Sequence, residues 1–195
     1  MDQPIVQQIL SYSIGKEFTI VNRPNQRMIV VANSSPNFFS WSKSDDHFAF
    51  GLSEQHPIGV DLCYVDDSFH FQSVIDQFFT QDEAEKVLNT PEKSKSSEFF
   101  KIWTRKEAAM KLVGKGIGIH LNAVDVLGSS FEMINHQSQE RDRAFLLEIP
   151  VASKLAVAVA TKEKLRIIGH QDLTLDSNPT IKAKAGFASP DSYRS

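Results

Sequence analysis

The chain has 195 residues, 41% of them hydrophobic and 10% aromatic, enough for one substantial core or two small ones without disulfide or metal staples. Its single cysteine, Cys63, excludes an internal disulfide and a cysteine-rich zinc site, which suits a reducing compartment. The net charge of −3 argues against broad nucleic-acid binding, and neither a secretory signal nor an apolar run of membrane-spanning length is present, so the sequence reads as soluble and cytoplasmic.

In chain order, residues 4–14 are expected to form a short helix with Ile5, Ile9 and Leu10 inward. Asn22-Arg23-Pro24-Asn25 reads as a turn before a strand from Met28 to Ala32, and Asn33-Ser34-Ser35-Pro36-Asn37 as a second break. The alternating His47 to Leu52 and the apolar Ile58 to Val65 predict two strands, antiparallel to each other through a turn at Ser53 to Pro57. Thr80 with Glu83 makes a capping box for a helix whose buried stripe is Ala84, Val87 and Leu88. Lys93 to Ser97 reads as a polar connector. The main helix is expected from about Ser97 to Val113, with Phe99, Phe100, Trp103, Met110 and Val113 available for packing and Gly114 as its stop. Strands are expected at 124–134, 143–149, 155–160 and 165–168. Strands and helices are segregated, which gives an α+β class. From Asp172 onward large apolar residues thin out, as in a poorly packed tail.

Charge is distributed unevenly. Residues 93–115 hold seven Lys or Arg against two Glu, a balance of +5 that leaves −8 for the rest. Such a stretch suits a bounded anionic ligand, an acidic partner, or simply a solvated helix face. On a helix Trp103, Glu107 and Lys111 share one face, with Lys106 beside them. An ion pair between Glu107 and Lys111 is the ordinary reading, yet Arg105, Lys106 and Lys115 add more cations than one glutamate needs. Asp61, inside an apolar run, needs a partner, a metal or a strand-end position to offset its desolvation. Two carboxylates and a lysine-rich helix suggest a magnesium ion and a phosphate ester. The six histidines are scattered and form no metal set. Gly114-Lys115-Gly116-Ile117-Gly118 follows a helix, whereas a dinucleotide fingerprint needs a strand before it.

Three stretches, Ile58-Gly59-Val60-Asp61-Leu62, Phe78-Phe79-Thr80-Gln81-Asp82-Glu83 and Trp103-Thr104-Arg105-Lys106-Glu107-Ala108-Ala109-Met110-Lys111-Leu112-Val113-Gly114-Lys115-Gly116, agree in order and spacing with one family. Together they resemble the 4′-phosphopantetheinyl transferase superfamily, in its larger, surfactin-synthetase-activating type. Upstream, Asn22-Arg23-Pro24 resembles the family's Gly-Lys-Pro turn, and Phe39-Ser40-Trp41-Ser42 sits where the family has Asn-x-Ser-His-Ser. The resemblance covers roughly residues 20–165.

What it implies is a pseudo-two-fold arrangement of two α+β halves with coenzyme A between them. Here residues 1–56 would be a reduced first half, 57–171 the half with the metal and catalytic motifs, and 172–195 a polar tail. The implied activity is transfer of the phosphopantetheine arm of coenzyme A to a serine of an acyl or peptidyl carrier protein, by attack of the hydroxyl on the β-phosphorus. Magnesium would sit at Asp61 and Glu107. Glu107, directly or through water, would accept the serine proton, Lys111 would stabilise or protonate the departing phosphate, and Lys106 would hold the diphosphate. Arg23, Ser40 and Trp41 would meet the nucleotide end, and the cationic stretch an acidic helix of the carrier.

Three departures from the family stand out. Cys63 occupies the place where many members carry a further glutamate ligand, and magnesium prefers oxygen. Trp41 replaces the motif's histidine and offers either a stacking surface or a core side chain. The reduced first half would leave apolar surface for the tail or a second subunit to cover, giving a monomer or weak homo-oligomer. These departures keep two alternatives open: a catalytically weak or inactive relative that binds coenzyme A or a carrier protein, and a scaffold that reuses the fold.

Overall fold

The computed structural model describes residues 6–7, 10–11, 18–21, 29–32, 35–114, 121–134, 141–151, 154–164, 166–167 and 187–188. The first sheet joins β1 (Phe18–Val21), β2 (Ile29–Ala32), β3 (Ser35–Ser44) and β4 (His47–Ser53), antiparallel and in that order. Successive side chains of β3 point to opposite faces. Phe39 and Trp41 join Val6, Leu10, Val30, Phe50 and Leu52 in one apolar cluster, while Ser40, Ser42 and Ser44 face the other way. Val6 and Leu10 are helical residues one turn apart and fully buried. Ile5 and Ile9, also expected inward, lie outside the described residues.

Ser35, Pro36 and Asn37, read from sequence as part of a break, open β3 instead. Pairing with β2 overrides their turn-forming composition, and proline, which cannot donate to a ladder, sits near the strand's start on an exposed position.

The second sheet has the order β5 (Ile58–Tyr64), β8 (Leu155–Thr161), β7 (Arg141–Glu148), β6 (Ser130–Ile134), again antiparallel throughout. A separate pair, β9 (Arg166–Ile167) with β10 (Phe187–Ala188), places two residues of the expected tail. The predicted hairpin of β4 with β5 is therefore corrected: the two strands belong to different sheets. Residues Ile58 to Leu62 are buried without interruption, the pattern of a strand covered on both faces, and the ladder partner of β5 comes from the far end of the domain. The predicted strand at 124–134 begins only at Ser130, after a single 3-10 turn at Leu121–Ala123.

Helices α1 (Gln72–Phe78), α2 (Gln81–Leu88) and α3 (Glu92–Val113) lie between β5 and β6 in sequence. The capping box of α2 is formed: the Thr80 N–H donates to Glu83 Oε2 at 2.8 Å and the Glu83 N–H to Thr80 Oγ1 at 3.3 Å. Val87 is fully buried, but Leu88, expected in the buried stripe, is 47% exposed. Helix α3 starts at Glu92, directly after Pro91, so Lys93 to Ser97 is helical and not a connector. It ends as expected at Gly114, whose φ of 76° is left-handed and whose N–H reaches the Met110 carbonyl. The helix lies across β5 and β8, and Phe99 anchors it by stacking on Phe71 and Phe79 at ring-centre distances of 4.8 and 5.4 Å.

Side-chain hydroxyls join the two sheets. One edge of β5 is taken by β8; along the other runs β3. The Val60 N–H donates to Ser40 Oγ and the Tyr64 N–H to Ser44 Oγ, both at 2.9 Å, and Ser42 Oγ donates to the Leu62 carbonyl at 3.4 Å. Each contact spans 20 residues of sequence, so the strands advance together in the same direction in two-residue steps. Hydroxyls stand where a neighbouring backbone would otherwise be needed to satisfy these groups.

Candidate active site

Asp61 sits mid-strand on β5, on the same face as Gly59 and Cys63, and that face is turned to α3. A Cβ at Gly59 would lie 2.0 Å from the Ala108 carbonyl oxygen and 2.5 Å from the Leu112 nitrogen, so glycine is what lets the helix backbone touch the strand. That approach brings Glu107 and Lys111, one turn apart on α3, beside Asp61.

The Asp61 side chain is 7% exposed. Its Oδ1 accepts from Lys111 Nζ and from Ser42 Oγ, each at 2.7 Å, and its Oδ2 accepts from the Cys63 thiol at 3.6 Å. A buried carboxylate is stable only when its charge is answered in this way. Lys111 also donates to the Trp41 carbonyl at 3.1 Å, which ties α3 to both β5 and β3. The ion pair that sequence spacing favours, Glu107 with Lys111, gives way to Lys111 with Asp61.

Glu107 is partly buried, and its carboxyl is pushed above the usual carboxylate range, first by burial and then by the Asp61 charge, with Lys111 pulling the other way. Beside Asp61, Glu107 is thus short of positive charge even with a lysine present. Oxygen donors in this condition fit a magnesium ion, which commonly takes one or two carboxylates and completes its shell with water and phosphate oxygens. Among the described residues no cluster of three or more His, Cys, Asp or Glu could hold a metal. Cys63 does not extend the donor set: burial, then the Asp61 charge, push its thiol up to about 12, so it stays protonated at neutral pH.

Lys106, expected on a diphosphate, lies elsewhere. Its side chain is entirely buried, and Nζ meets Glu83 Oε2 at 2.7 Å and the Leu121 and Val124 carbonyls at 2.8 Å. The other Glu83 oxygen accepts the Val126 N–H at 2.9 Å. Burial lowers the Lys106 ammonium and Glu83 raises it. One carboxylate thereby completes the α2 cap, answers the Lys106 charge on α3 and holds the segment leading to β6. Removing either partner from such a pair costs about 3–5 kcal/mol. With its three donors filled inside the protein, Lys106 has no ammonium hydrogen left for a ligand.

Three further cations of α3 are likewise answered. Arg105 donates to Glu148, to the Gly128 carbonyl and to the Val126 carbonyl, Lys101 pairs with Glu148 at 3.1 Å, and Lys95 pairs with Glu92 at 2.8 Å. The cationic excess read along the sequence is in good part balanced by carboxylates from other elements.

Trp41 packs its indole in the first-sheet cluster, on the face of β3 opposite the serines, and presents only its carbonyl to Lys111. The stacking role gives way to the core role that the sequence also allowed. Ser40 uses its hydroxyl on the Val60 N–H. Arg23 lies outside the described residues. Sequence reasoning missed Ser42, Glu83 and Glu148 as the groups that hold Asp61, Lys106 and Arg105. The Ser40-x-Ser42-x-Ser44 alternation is the one available signal, since the two glutamates are distant in sequence from what they hold.

The sequence profile of the 4′-phosphopantetheinyl transferase superfamily matches residues 57–167, the stretch containing Asp61, Glu107 and Lys111. Among curated relatives, slr0495 of Synechocystis sp. is 30% identical over 108 residues, 55% of this chain and 44% of its own length. The 4′-phosphopantetheinyl transferase psf-1 of Bacillus pumilus is 32% identical over 94 residues, 48% of this chain and 39% of its own. The 4′-phosphopantetheinyl transferase gsp of Aneurinibacillus migulanus is 24% identical over 136 residues, 66% of this chain and 56% of its own. The chain therefore spans about half the length of the relatives it matches. With more than half of its residues covered by the family profile, and the motif carboxylates and lysine gathered at one place on β5 and α3, the chain belongs to the 4′-phosphopantetheinyl transferase superfamily.

Proposed function

We propose that the chain transfers the 4′-phosphopantetheine arm of coenzyme A to a serine of an acyl or peptidyl carrier protein. The observation that carries this reading is the joint of β5 and α3, where Asp61, Glu107 and Lys111 converge within the stretch matched by the family profile. In the reaction the serine hydroxyl oxygen bonds to the β-phosphorus, the bond from that phosphorus to the bridging oxygen breaks, and adenosine 3′,5′-bisphosphate leaves. Glu107, directly or through a water, accepts the serine proton. Lys111 has three ammonium donors; two go to Asp61 and the Trp41 carbonyl, and the third serves the departing phosphate from a side chain that is 31% exposed. Asp61 and Glu107 hold magnesium, which when bound neutralises charge on the diphosphate.

The same reading divides the chain into a first half through residue 56, a second half from 57 to 171 and a tail from 172 to 195, and places it in the cytoplasm. The break between the two four-stranded sheets, after β4 at Ser53 and before β5 at Ile58, supports the first boundary. No helix among the described residues is long and apolar enough to cross a membrane. A second reading, a weak or inactive relative that retains binding, is favoured by the protonated thiol of Cys63 where many members place a carboxylate.

The test is intact-mass analysis of apo carrier proteins incubated with the protein, coenzyme A and magnesium. Metal-dependent addition of one phosphopantetheine is expected, and Glu107→Gln should abolish it while leaving a folded protein. Addition by Glu107→Gln at the wild-type rate would remove Glu107 from its role. No addition to any carrier, with a known transferase modifying the same set, would favour the binding-only relative.

A further inference from the structure

Ser42 is the one hydroxyl of the β3 ladder whose best contact is not backbone. Ser40 and Ser44 each accept a β5 N–H at 2.9 Å, whereas Ser42 donates to Asp61 Oδ1 at 2.7 Å and only distantly to the Leu62 carbonyl at 3.4 Å. It is 9% exposed and held in register by the ladder on either side, so its hydroxyl is a fixed donor. Lys111 donates to the same oxygen. A carboxylate oxygen offers about two lone-pair sites, and the two on Oδ1 are taken by two short, charge-assisted bonds. Among the described residues Oδ2 carries only the weak thiol contact of Cys63.

From this asymmetry we infer that Ser42 is a positioning residue for the metal site: by fixing Oδ1 it sets the rotation of the Asp61 carboxylate and leaves Oδ2 as the oxygen open to a divalent cation. Lys111 alone does not fix that rotation, because a lysine side chain follows its acceptor, whereas a serine on a paired strand does not. The inference rests on the proposed magnesium site at Asp61 and Glu107 and adds to it the residue that prepares it.

The test is manganese binding followed by electron paramagnetic resonance in the 195-residue chain, with no substrate present, alongside thermal unfolding. Ser42→Ala should weaken manganese binding about tenfold or more, the range for loss of a group that orients a metal ligand. Ser44→Ala, which removes a ladder hydroxyl of similar burden on β5 without touching Asp61, should lower the melting temperature comparably and leave manganese affinity unchanged. Equal losses of affinity in the two variants would mean that the ladder acts only through the fold and would overturn the inference. So would wild-type affinity in Ser42→Ala. A wild-type protein that binds no manganese at millimolar concentration would sink the metal site and the inference together, an outcome distinct from the other two.

Discussion

Glu107 carries the conflict between stability and chemistry at this site. Its carboxyl titrates above the value it has in the unfolded chain, chiefly through burial and then through Asp61. The folded state therefore holds the proton more tightly. The stability this provides is complete below the unfolded value, about 4.3, and is lost as pH rises through the higher folded value. Above the folded value the wild type bears an ionised, partly buried glutamate beside another carboxylate. Glu107→Gln removes that burden, so the variant should be more resistant to urea than the wild type at pH 7 and nearly equal to it at pH 4. An unchanged midpoint difference across that range would show that Glu107 ionises without strain.

The contact of α3 with β5 depends on a residue with no side chain. Gly59→Ala would thrust a methyl group into helix backbone, at 2.0 Å from a carbonyl oxygen that cannot swing aside. We expect a loss of about 3 kcal/mol, the upper part of the range for overpacking, read as a lower urea midpoint. Wild-type stability in this variant would mean that the helix can lift from the strand at little cost. Local signals made parts of this arrangement legible: the Thr80 and Glu83 box, the glycine stop at 114 and the buried run Ile58 to Leu62 all report on neighbours a few residues away. The rest depended on distant partners. Nothing near Lys106 in sequence shows that Glu83 will take its charge, and nothing in Ser35-Pro36-Asn37 shows that β2 will draw them into a strand. Of the candidate site, Asp61, Glu107 and Lys111 are placed together, Lys106 and the Trp41 indole are turned inward, and the helper Ser42 emerges only when two strands 20 residues apart are laid side by side.

At the scale of the molecule, ligand binding separates the readings that share this fold. A ligand specific for the native state raises apparent stability by RT ln(1 + [L]/Kd), about 2.7 kcal/mol at a hundredfold excess over Kd. Coenzyme A with magnesium should therefore raise the melting temperature, whether the protein turns over or only binds. No shift at millimolar coenzyme would point to a scaffold. The hydroxyl ladder bears on a different hazard. An edge strand with open N–H and C=O groups is a template on which extended segments of other chains can add, and β5 carries the candidate carboxylate on such an edge. Because Ser40 and Ser44 occupy its N–H groups and Ser42 stands by the Leu62 carbonyl, the edge is covered by side chains of β3 in place of a backbone ladder; it cannot recruit a foreign segment while the sheets remain together, and Asp61 is shielded from the misassembly its position would otherwise invite.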